Sequence, residues 1–383
     1  RLTRAGRLVC AGAVVATVLG AVGGSHPAVG LGLAALAGCA LGRASVRRGV
    51  RQSVVREGVP PSAAVRGDRI ALRYTPVGPV RGGPDPLIRD ALLDGERRVP
   101  LVASGWALRT PPLPRGVWRL GTPNAEYRDR LGLATATAVS TAPDGTVTVR
   151  PAVLPEVGWV AVAARRAGAR HPGSEDAFEV RGVRDYLPGD DLRLLDWRST
   201  VRTGRLHVRE PSADTAGQLA VLLDTGIASA GADHRTAADA ARDFETAVDC
   251  AASVAVQSLR LALPVALACG DGPQRAFAPA PGVEDTLLDA LAAVRPQPGR
   301  GTAALNRAAA VPSGGALAVL VTTRDPDLWR PALSALAIRY AEVVCVRVTA
   351  PDRRRPARRL RGFHLVEVAD PADLAAAALP GPV

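Results

Sequence analysis

Lysine and methionine are absent from this sequence of 383 residues, and aromatic residues make up only 3% of it. Without lysine, the chain cannot form a Schiff base, a serine–lysine dyad or the phosphate-binding lysine of a P-loop. These absences argue against an ordinary nucleotide-hydrolysing enzyme. Because 47% of the residues are hydrophobic, the cores must be built mainly from Ala, Val and Leu. We also expect the natural start of the chain to lie upstream of Arg1 or to have been removed.

Motifs for metal binding and nucleophilic catalysis are missing as well. The histidines are scattered, and neither H-E-x-x-H nor G-x-S-x-G occurs in the sequence. The cysteines are odd in number, lack C-x-x-C spacing and all lie in apolar runs: Cys10, Cys39, Cys250, Cys269 and Cys345. We interpret them as small core or membrane residues in a reducing compartment, not as disulfides or zinc ligands.

Positive charge is in excess, with a formal net charge of +12, and all 48 basic residues are arginines. Such an excess is typical of chains that meet nucleic acid, an anionic membrane face or a basic juxtamembrane region. The densest basic run is Arg353–Arg361. It has no interleaved aromatic residues to stack on bases, so we expect a solvated loop near anionic headgroups and no specific nucleic acid.

One long uncharged stretch, Leu8–Gly42, opens the sequence. Its middle, Gly23–Pro27, has turn chemistry, and this predicts two short transmembrane helices near Leu8–Val22 and Ala28–Gly42. Residues 1–49 would therefore form a membrane anchor that contacts lipid through residues 8–42. A cleaved signal peptide and a buried soluble hairpin are the two weaker alternatives.

Arginines flank this hairpin on both sides, and its turn carries no charge. The positive-inside rule then predicts a multi-pass protein of the cell membrane, with both hairpin ends and the bulk of the chain in the cytoplasm. Two glycine pairs, Gly20 with Gly24 and Gly38 with Gly42, have the small-xxx-small spacing that brings membrane helices close together.

Residues 50–156 change to a pattern of Pro, Gly and alternating residues. The predicted strands are Arg69–Tyr74, Val99–Ala103, Gly116–Leu120, Ala134–Ser140 and Thr146–Arg150, with a hairpin turn at Pro143–Gly145. Several short strands at such spacing predict a β-sandwich. Since no cluster of His, Cys or acidic residues has catalytic spacing here, an interaction module is the preferred interpretation.

Residues 217–383 alternate apolar strands with helices and predict a doubly wound α/β domain. The predicted strands are Gln218–Leu223, Val265–Cys269, Ala316–Val321 and Glu342–Val348, with Leu365–Val368 as an edge. The predicted helices are Ala237–Leu263, Val283–Val294, Thr302–Ala310 and Pro331–Tyr340. Ligands of such domains bind at the carboxyl ends of the strands, at the topological switch point.

A segment rich in Arg and Asp, residues 157–216, joins these two domains. Its charges are interrupted by apolar residues, so we expect a rigid, partly buried network in which arginine forks hold carboxylates. The residues that define it are Arg184, Tyr186, Pro188, Gly189, Asp190, Asp191, Arg193, Asp196, Trp197, Arg198 and Arg202. This pattern resembles the signature of the domain-of-unknown-function 58 family.

The family resemblance implies that the last domain is similar to a von Willebrand factor type A domain. Such domains can hold Mg²⁺ at a metal-ion-dependent adhesion site with the motif D-x-S-x-S, a Thr and a second Asp. The matching residues are Asp224, Thr302 and Asp325. Gly226 and Ala228 stand where the two serines would be, so the site is degenerate. We expect Asp224 to be a strand-end cap or a partner contact and no cofactor to be bound, with Mg²⁺ at this degenerate site as the alternative.

The resemblance also implies partners, namely a MoxR-type AAA+ ATPase and a transglutaminase-like membrane protein. Our first hypothesis is a membrane-anchored, non-enzymatic scaffold or adaptor for assembly or maturation of client or envelope proteins. One alternative is a hydrolase that uses Asp190, Asp191 and Asp196 as acid and base. Another is binding of anionic lipid or nucleic acid through Arg353–Arg361.

Overall fold

The computed structural model of the chain describes residues 1–50, 53–57, 61–77, 85–93, 97–98, 105–138, 145–170, 180–185, 196–211, 218–226, 236–270, 272–297, 315–360 and 362–379. These residues fall into two compact units, Arg1–Arg150 and Pro151–Val383. Each unit has a hydrophobic core of its own.

The first unit begins with two long helices, α1 (Arg4–Val22) and α2 (His26–Val50). Both are longer than the predicted arms, because the helical structure continues through flanking arginines. An 18-residue window within each has a mean hydropathy of 1.9 and 1.6, respectively, and each helix is long and apolar enough to cross a membrane. At a rise of about 1.5 Å per residue, α1 spans about 28 Å, close to the thickness of a hydrocarbon core.

Small residues line the contact between α1 and α2. A side chain at Gly20 would meet Ala28 and Val29, and one at Gly32 would collide with Thr17. Of the glycines that the spacing singled out, Gly20 is at this contact as predicted, whereas Gly24 and Gly38 have no described atom within 4 Å of such a side chain and Gly42 faces Asp129. The large apolar side chains point outward instead: Leu8, Val14, Val15, Val18, Leu19, Val22, Leu31, Leu33 and Leu41 are all exposed.

Both ends of the helical hairpin are built into the β-structure of the same unit. Leu2 forms a bridge with Ala134, and the backbone N–H of Thr3 donates to the carbonyl of Leu133 at 2.9 Å. From α2, Val46 lies in the core of the unit. The hairpin ends are therefore fixed on the same body.

The strands of the first unit are short and mostly antiparallel. They are β1 (Ser53–Glu57), β2 (Ala63–Val65), β3 (Ala71–Val77), β4 (Pro86–Arg89), β5 (Arg97–Arg98), β6 (Trp106–Arg109), β7 (Gly116–Leu120), β8 (Asn124–Arg128), β9 (Thr135–Ala138) and β10 (Gly145–Arg150). They form three sheets with the orders β1-β3-β6, β2-β10-β7 and β5-β4-β8-β9 around one core.

Two strand predictions in this unit are confirmed, namely Gly116–Leu120 and, with one more residue, Thr146–Arg150. The first predicted strand begins later, at Ala71, because residues 66–70 form a turn and its exit. The predicted strand Val99–Ala103 and the turn residues Pro143 and Asp144 lie outside the described residues.

A buried polar network that sequence patterns did not indicate ties this unit together. Asp90 accepts hydrogen bonds from Arg56 Nη1 at 2.8 Å and from the Tyr74 hydroxyl at 2.9 Å. All three side chains are buried. Burial first, and then the neighbouring Asp90 carboxylate, raises the pKa of Tyr74 well above its usual value.

The second unit alternates helices and strands. Its elements are α3 (Gly158–Arg170), β11 (Val180–Asp185), α4 (Trp197–Thr203), β12 (His207–Pro211), β13 (Leu219–Leu223), α5 (Ala237–Arg260), β14 (Val265–Cys269), β15 (Arg275–Phe277), α6 (Val283–Ala292), β16 (Gly315–Thr322), α7 (Arg330–Arg339), β17 (Tyr340–Val348), β18 (Arg358–Leu360), β19 (Phe363–Val368) and α8 (Pro371–Ala376). Short 3-10 turns cover Pro326–Trp329 and Pro351–Arg353.

A seven-stranded sheet with the order β15-β14-β13-β16-β17-β19-β18 forms the centre of this unit. The five inner strands are parallel to one another, whereas β15 and β18 are antiparallel edges. Alternate residues of β13 face two different cores. Leu219, Val221 and Leu223 pack with α3, α5 and α6, and Ala220 and Leu222 pack with α7. Burial on both faces explains the continuous apolar runs.

The predicted strands and helices of this unit are largely confirmed, with one correction. Leu365–Val368 is not an edge, because β19 lies between β17 and β18 and all its residues are buried. The long helix α5 is capped by Thr236, which forms a capping box with Asp239. The predicted helix Thr302–Ala310 lies outside the described residues.

Candidate functional site

The polar residues at the carboxyl ends of β13 and β16 form the candidate site. The two strands are parallel neighbours, and the chain leaves them toward opposite sides of the sheet, which makes this the topological switch point. Asp224–Gly226 follow β13, and Thr322–Asp325 end and follow β16. We call these two segments the strand-end face.

Asp224 is almost fully buried, with 1% of its surface exposed, and it is paired with Arg324. Arg324 Nε donates to Oδ2 and Arg324 Nη2 donates to Oδ1, each at 2.8 Å. Such a bidentate fork is the strongest geometry for an arginine–carboxylate pair. It also fixes the arginine side chain in the plane of the carboxylate.

Two further donors complete the hydrogen bonding of Asp224. The backbone N–H of Gly226 donates to Oδ1 at 2.8 Å, and the Thr322 hydroxyl donates to Oδ2 at 2.7 Å. An ionised carboxylate offers about four lone-pair positions, so these four donors saturate it.

Thr322 is saturated in the same way and links the carboxylate to a buried aromatic ring. Its hydroxyl oxygen accepts from the backbone N–H of Arg324 at 3.0 Å and from Trp329 Nε1 at 3.1 Å. Trp329 is fully buried, and its ring centroid lies 4.8 Å from Cζ of Arg324. The ring therefore holds the guanidinium by a cation–π contact on one side while Asp224 holds it in plane.

The predicted metal ligands do not fit a Mg²⁺ site in this arrangement. Mg²⁺ needs near-octahedral oxygen ligands, whereas both oxygens of Asp224 already accept from nitrogen and hydroxyl donors. Asp325 turns to its own backbone and accepts from the N–H of Asp327 at 2.9 Å, as the N-cap of a 3-10 turn. Thr302 and Ala228 lie outside the described residues. Within the described residues no group of three or more His, Cys, Asp or Glu could hold a metal ion.

A cavity of about 340 Å³ opens at the carboxyl ends of β13 and β14. We call it the strand-end cavity. Thr225 and Cys269 border it from the strands, and Gln297 borders it beyond α6, fixed by a hydrogen bond of 2.7 Å from its backbone N–H to the Thr225 carbonyl. Gln297 Oε1 is buried and has no hydrogen-bond partner among the described residues.

Two exposed arginines, Arg275 and Arg295, stand at the rim of this cavity. Within the part of the chain that the structure describes, neither forms an ion pair. The floor is apolar and includes Leu267, Ala290 and Val294. The cavity can therefore accept a group that is partly apolar and carries negative charge.

Only part of the Arg/Asp signature lies within the described residues. Arg184 lies on β11, opposite Val208 of β12. Asp196 is the N-cap of α4, and its Oδ1 accepts from the N–H groups of Arg198 and Ser199 at 3.0 and 3.2 Å. The other described members are Trp197 and Arg202 on the same helix. Tyr186, Pro188, Gly189, Asp190, Asp191 and Arg193 lie outside the described residues.

Trp197 is not part of a buried network, contrary to our expectation. It is 63% exposed, and Val201, one turn along α4, is 81% exposed. Arg198 and Arg202 are exposed on the same short helix. The helix thus presents apolar and cationic side chains to solvent together. Its hydrogen-bonded N-cap stabilises it in place of side-chain burial.

Part of the positive charge of Arg353–Arg361 is neutralised by neighbouring carboxylates. Arg358 donates to both oxygens of Glu367, at 3.0 and 3.3 Å, and Arg354 Nη1 donates to Asp373 Oδ1 at 2.5 Å. Arg361 lies outside the described residues. Binding of lipid or nucleic acid by this run stays a prediction.

Sequence reasoning missed the two residues that shape the strand-end face, Arg324 and Trp329. Arg324 was visible as part of the segment after β16, but Asp325 was chosen as the functional residue. The available signal was the glycine at position 226, where an adhesion-type site has a serine, together with an arginine at the end of the neighbouring strand.

Comparison with known proteins gives one family and few relatives. The model of the family described as "Protein of unknown function DUF58" matches residues 182–373, about half of the chain. "Uncharacterized protein Rv1480" of Mycobacterium tuberculosis (strain ATCC 25618 / H37Rv) and "Uncharacterized protein Mb1516" of Mycobacterium bovis are each 40% identical over 76 residues. The match covers 20% of this chain and 22% of each relative. No solved structure matches the chain significantly.

Proposed function

The chain belongs to the DUF58 family, and we propose that it is a membrane-tethered, non-enzymatic scaffold or adaptor. The observation that carries the proposal is the inside-out packing of α1 and α2. Glycines such as Gly20 and Gly32 face the helix contact, while Leu8, Leu19 and Leu31 face outward. A soluble hairpin would bury its large apolar side chains, whereas helices in lipid gain most from close contact of small residues.

The proposed topology places both hairpin ends and both units in the cytoplasm of a multi-pass membrane protein. Both ends of the hairpin are joined to the β-structure of the first unit, through Leu2 and Val46. Arg4 and Arg7 at one end and Arg43 at the other satisfy the positive-inside rule.

We further propose that the second unit is a von Willebrand factor type A-like domain and that the first unit contains a sandwich-type interaction module. The inner strands β14, β13, β16, β17 and β19 have the order 2-1-3-4-5 in chain numbering, one of the common doubly wound orders. An aspartate directly after the first of these strands, Asp224, also supports a domain of this type.

The partners that we propose follow from the family resemblance. A MoxR-type AAA+ ATPase would supply energy, and a transglutaminase-like membrane protein would act in the same assembly or maturation of clients. Two surfaces have the chemistry for docking. The strand-end cavity offers the exposed cations of Arg275 and Arg295, which form no ion pair with any described residue, to an acidic segment, and α4 offers Trp197 and Val201.

A hydrolase that uses Asp190, Asp191 and Asp196 is the alternative from another functional class. Asp196 accepts hydrogen bonds from two backbone N–H groups and so serves as the N-cap of α4. The cap therefore favours a structural role for this one of the three carboxylates.

The test is co-purification of the full chain from membranes with a MoxR-type ATPase from the same genome. We expect the chain in the membrane fraction and the ATPase in its detergent eluate. Arg275→Ser/Arg295→Ser and Trp197→Ser/Val201→Ser should each lower ATPase recovery severalfold. Arg330→Ser, which removes an exposed arginine on α7, is the matched control and should not.

Two results would overturn the proposal. One is a chain that stays in the soluble fraction after cell lysis, because this removes the membrane tether. The other is full ATPase recovery with both double variants, because neither docking surface would then contribute.

A further inference from the structure

We propose that Arg324 is a built-in cation that replaces a divalent metal ion at the strand-end face. Its guanidinium binds both oxygens of Asp224 and so neutralises this carboxylate, which is buried at the carboxyl ends of β13 and β16. The side chains of Arg324 and Asp224 are only 14% and 2% exposed. A buried charge of this kind needs a partner, and here the partner is covalently part of the chain.

Steric complementarity supports the replacement. If residue 226 had a side chain, its Cβ would lie 2.7 Å from Cζ of Arg324 and 2.8 Å from Nη2. A serine at this position, as in the D-x-S-x-S pattern, would therefore displace the guanidinium. Glycine at position 226 therefore leaves the space that the guanidinium fills, at the place where the D-x-S-x-S pattern has a metal-binding serine.

The guanidinium also joins the two loops of the site mechanically. Arg324 follows β16, whereas Asp224 and Gly226 follow β13, and the Thr323 hydroxyl donates to the carbonyl of Gly226 at 3.5 Å. The ring of Trp329 covers the guanidinium at 4.8 Å. Because this cation cannot dissociate, the arrangement of the two loops is independent of divalent ion concentration and of chelators. The inference does not depend on which partner the chain binds.

The experiment measures Mn²⁺ binding to the full chain in detergent micelles by electron paramagnetic resonance, with Mn²⁺ as the probe for Mg²⁺. The variants are Arg324→Ala, Asp224→Asn and Asp224→Asn/Arg324→Ala. Arg324→Gln is measured in parallel, in case Arg324→Ala fails to fold. The neutral amide of the glutamine can still contact Asp224 and Trp329. Near-ultraviolet circular dichroism identifies the variants that keep the native fold.

We expect no difference in Mn²⁺ binding between the wild type and Asp224→Asn at millimolar ion. Removal of the guanidinium should strengthen binding by about tenfold or more, corresponding to at least about 1.4 kcal/mol. This gain should disappear in Asp224→Asn/Arg324→Ala. Mn²⁺ binding by the wild type that Asp224→Asn abolishes would overturn the proposal. A folded Arg324 variant without any Asp224-dependent gain would overturn it as well.

Discussion

Arg324 donates two hydrogen bonds of 2.8 Å to the two carboxylate oxygens of Asp224, although the residues are 100 positions apart in the chain. The pair closes the topological switch point, where a doubly wound sheet ordinarily receives a ligand. The fork, the Thr322 hydroxyl and the Trp329 ring make one connected cluster. The stability of the second unit should therefore depend on this cluster as a whole.

Asp224→Ala should destabilise the second unit by about 3–5 kcal/mol, because the mutation leaves a nearly buried guanidinium without its partner. Asp224→Ala/Arg324→Ala should cost less than the sum of the two single variants, with a coupling energy of about 1–3 kcal/mol. Urea unfolding of the full chain in detergent micelles, followed by the fluorescence of Trp329 and the other tryptophans, measures both quantities.

The control for this cycle is the exposed pair Asp327–Arg330, whose side chains are 76% and 71% exposed. Arg330→Ala should leave the unfolding midpoint unchanged, because solvent screens such pairs. Strictly additive effects of Asp224→Ala and Arg324→Ala would show that the fork contributes nothing beyond the separate side chains.

The contact of α1 with the β-structure of the first unit should be sensitive to a single methyl group. A Cβ at Gly6 would collide with the carbonyl oxygen of Leu133. Gly6→Ala should therefore cost about 1–3 kcal/mol, as overpacking does, and it should raise hydrogen exchange at Thr3, which donates to the same carbonyl.

Gly12→Ala is the matched control on the same helix. A Cβ at Gly12 has no described atom within 4 Å, so the substitution adds helix propensity without a clash. Mass spectrometry of exchanged peptides from the chain in micelles compares the two variants. If the amide of Thr3 exchanges hydrogen at the same rate in Gly6→Ala and Gly12→Ala, the described contact between α1 and Leu133 is wrong.

Patterns of burial explain which parts of the fold were predictable from the sequence. Strands such as β13 and β16 are buried on both faces, so their sequences are continuous apolar runs between polar loops. The hairpin was predictable because its turn interrupts an uncharged stretch. Strand β19 was misplaced at the sheet edge; it is an inner strand, and its two polar residues, His364 and Glu367, are buried against Glu342 and Arg358.

The candidate site was predictable in position but not in chemistry. The strand end directed attention to Asp224, since strand ends of parallel sheets meet at the same edge. The choice between Arg324 and a metal as its counter-ion depends on side-chain directions across about a hundred residues, which spacing does not encode. Likewise, the apolar character of Trp197 suggested that its side chain is buried. The side chain is exposed, and the N-cap hydrogen bonds of Asp196 stabilise α4 instead.

Acid should weaken the second unit through His364. This side chain is buried and contacts the Glu342 carboxylate at 3.2 Å. Burial is the largest effect and lowers the pKa of His364 below 6.5; the Glu342 carboxylate opposes this shift, and Arg359 and Arg166 add to it. As the pH falls below about 6.5, the unfolded chain binds a proton that the folded chain does not, so stability decreases.

His364→Gln should flatten this decrease, since glutamine can donate to Glu342 and does not titrate. Thermal unfolding of the full chain in micelles, followed across the pH range below 7, compares the two proteins. The difference between their unfolding temperatures should change as the pH is lowered and stay constant above neutrality. An equal acid dependence in wild type and His364→Gln would assign the effect to other groups.

Thiol reactivity should follow the burial of the cysteines in the second unit. Burial raises the pKa of Cys345 to about 12 and also raises the pKa of Cys250. Because the thiolate is the reactive form, both should resist iodoacetamide in the native chain and react only after unfolding in urea. Cys269 is partly exposed at the strand-end cavity and should react first among the three.

The same labelling can locate a docked partner. If an acidic segment occupies the strand-end cavity, the bound ATPase should slow the modification of Cys269 and leave Cys250 and Cys345 unchanged. Mass spectrometry of labelled peptides, with and without the partner, measures the three rates in one sample. The variant Arg275→Ser/Arg295→Ser should keep the fast rate of Cys269 in both samples. If the ATPase still protects Cys269 in this variant, the partner does not bind through Arg275 and Arg295, because a segment bound by these two arginines should dissociate when both are replaced.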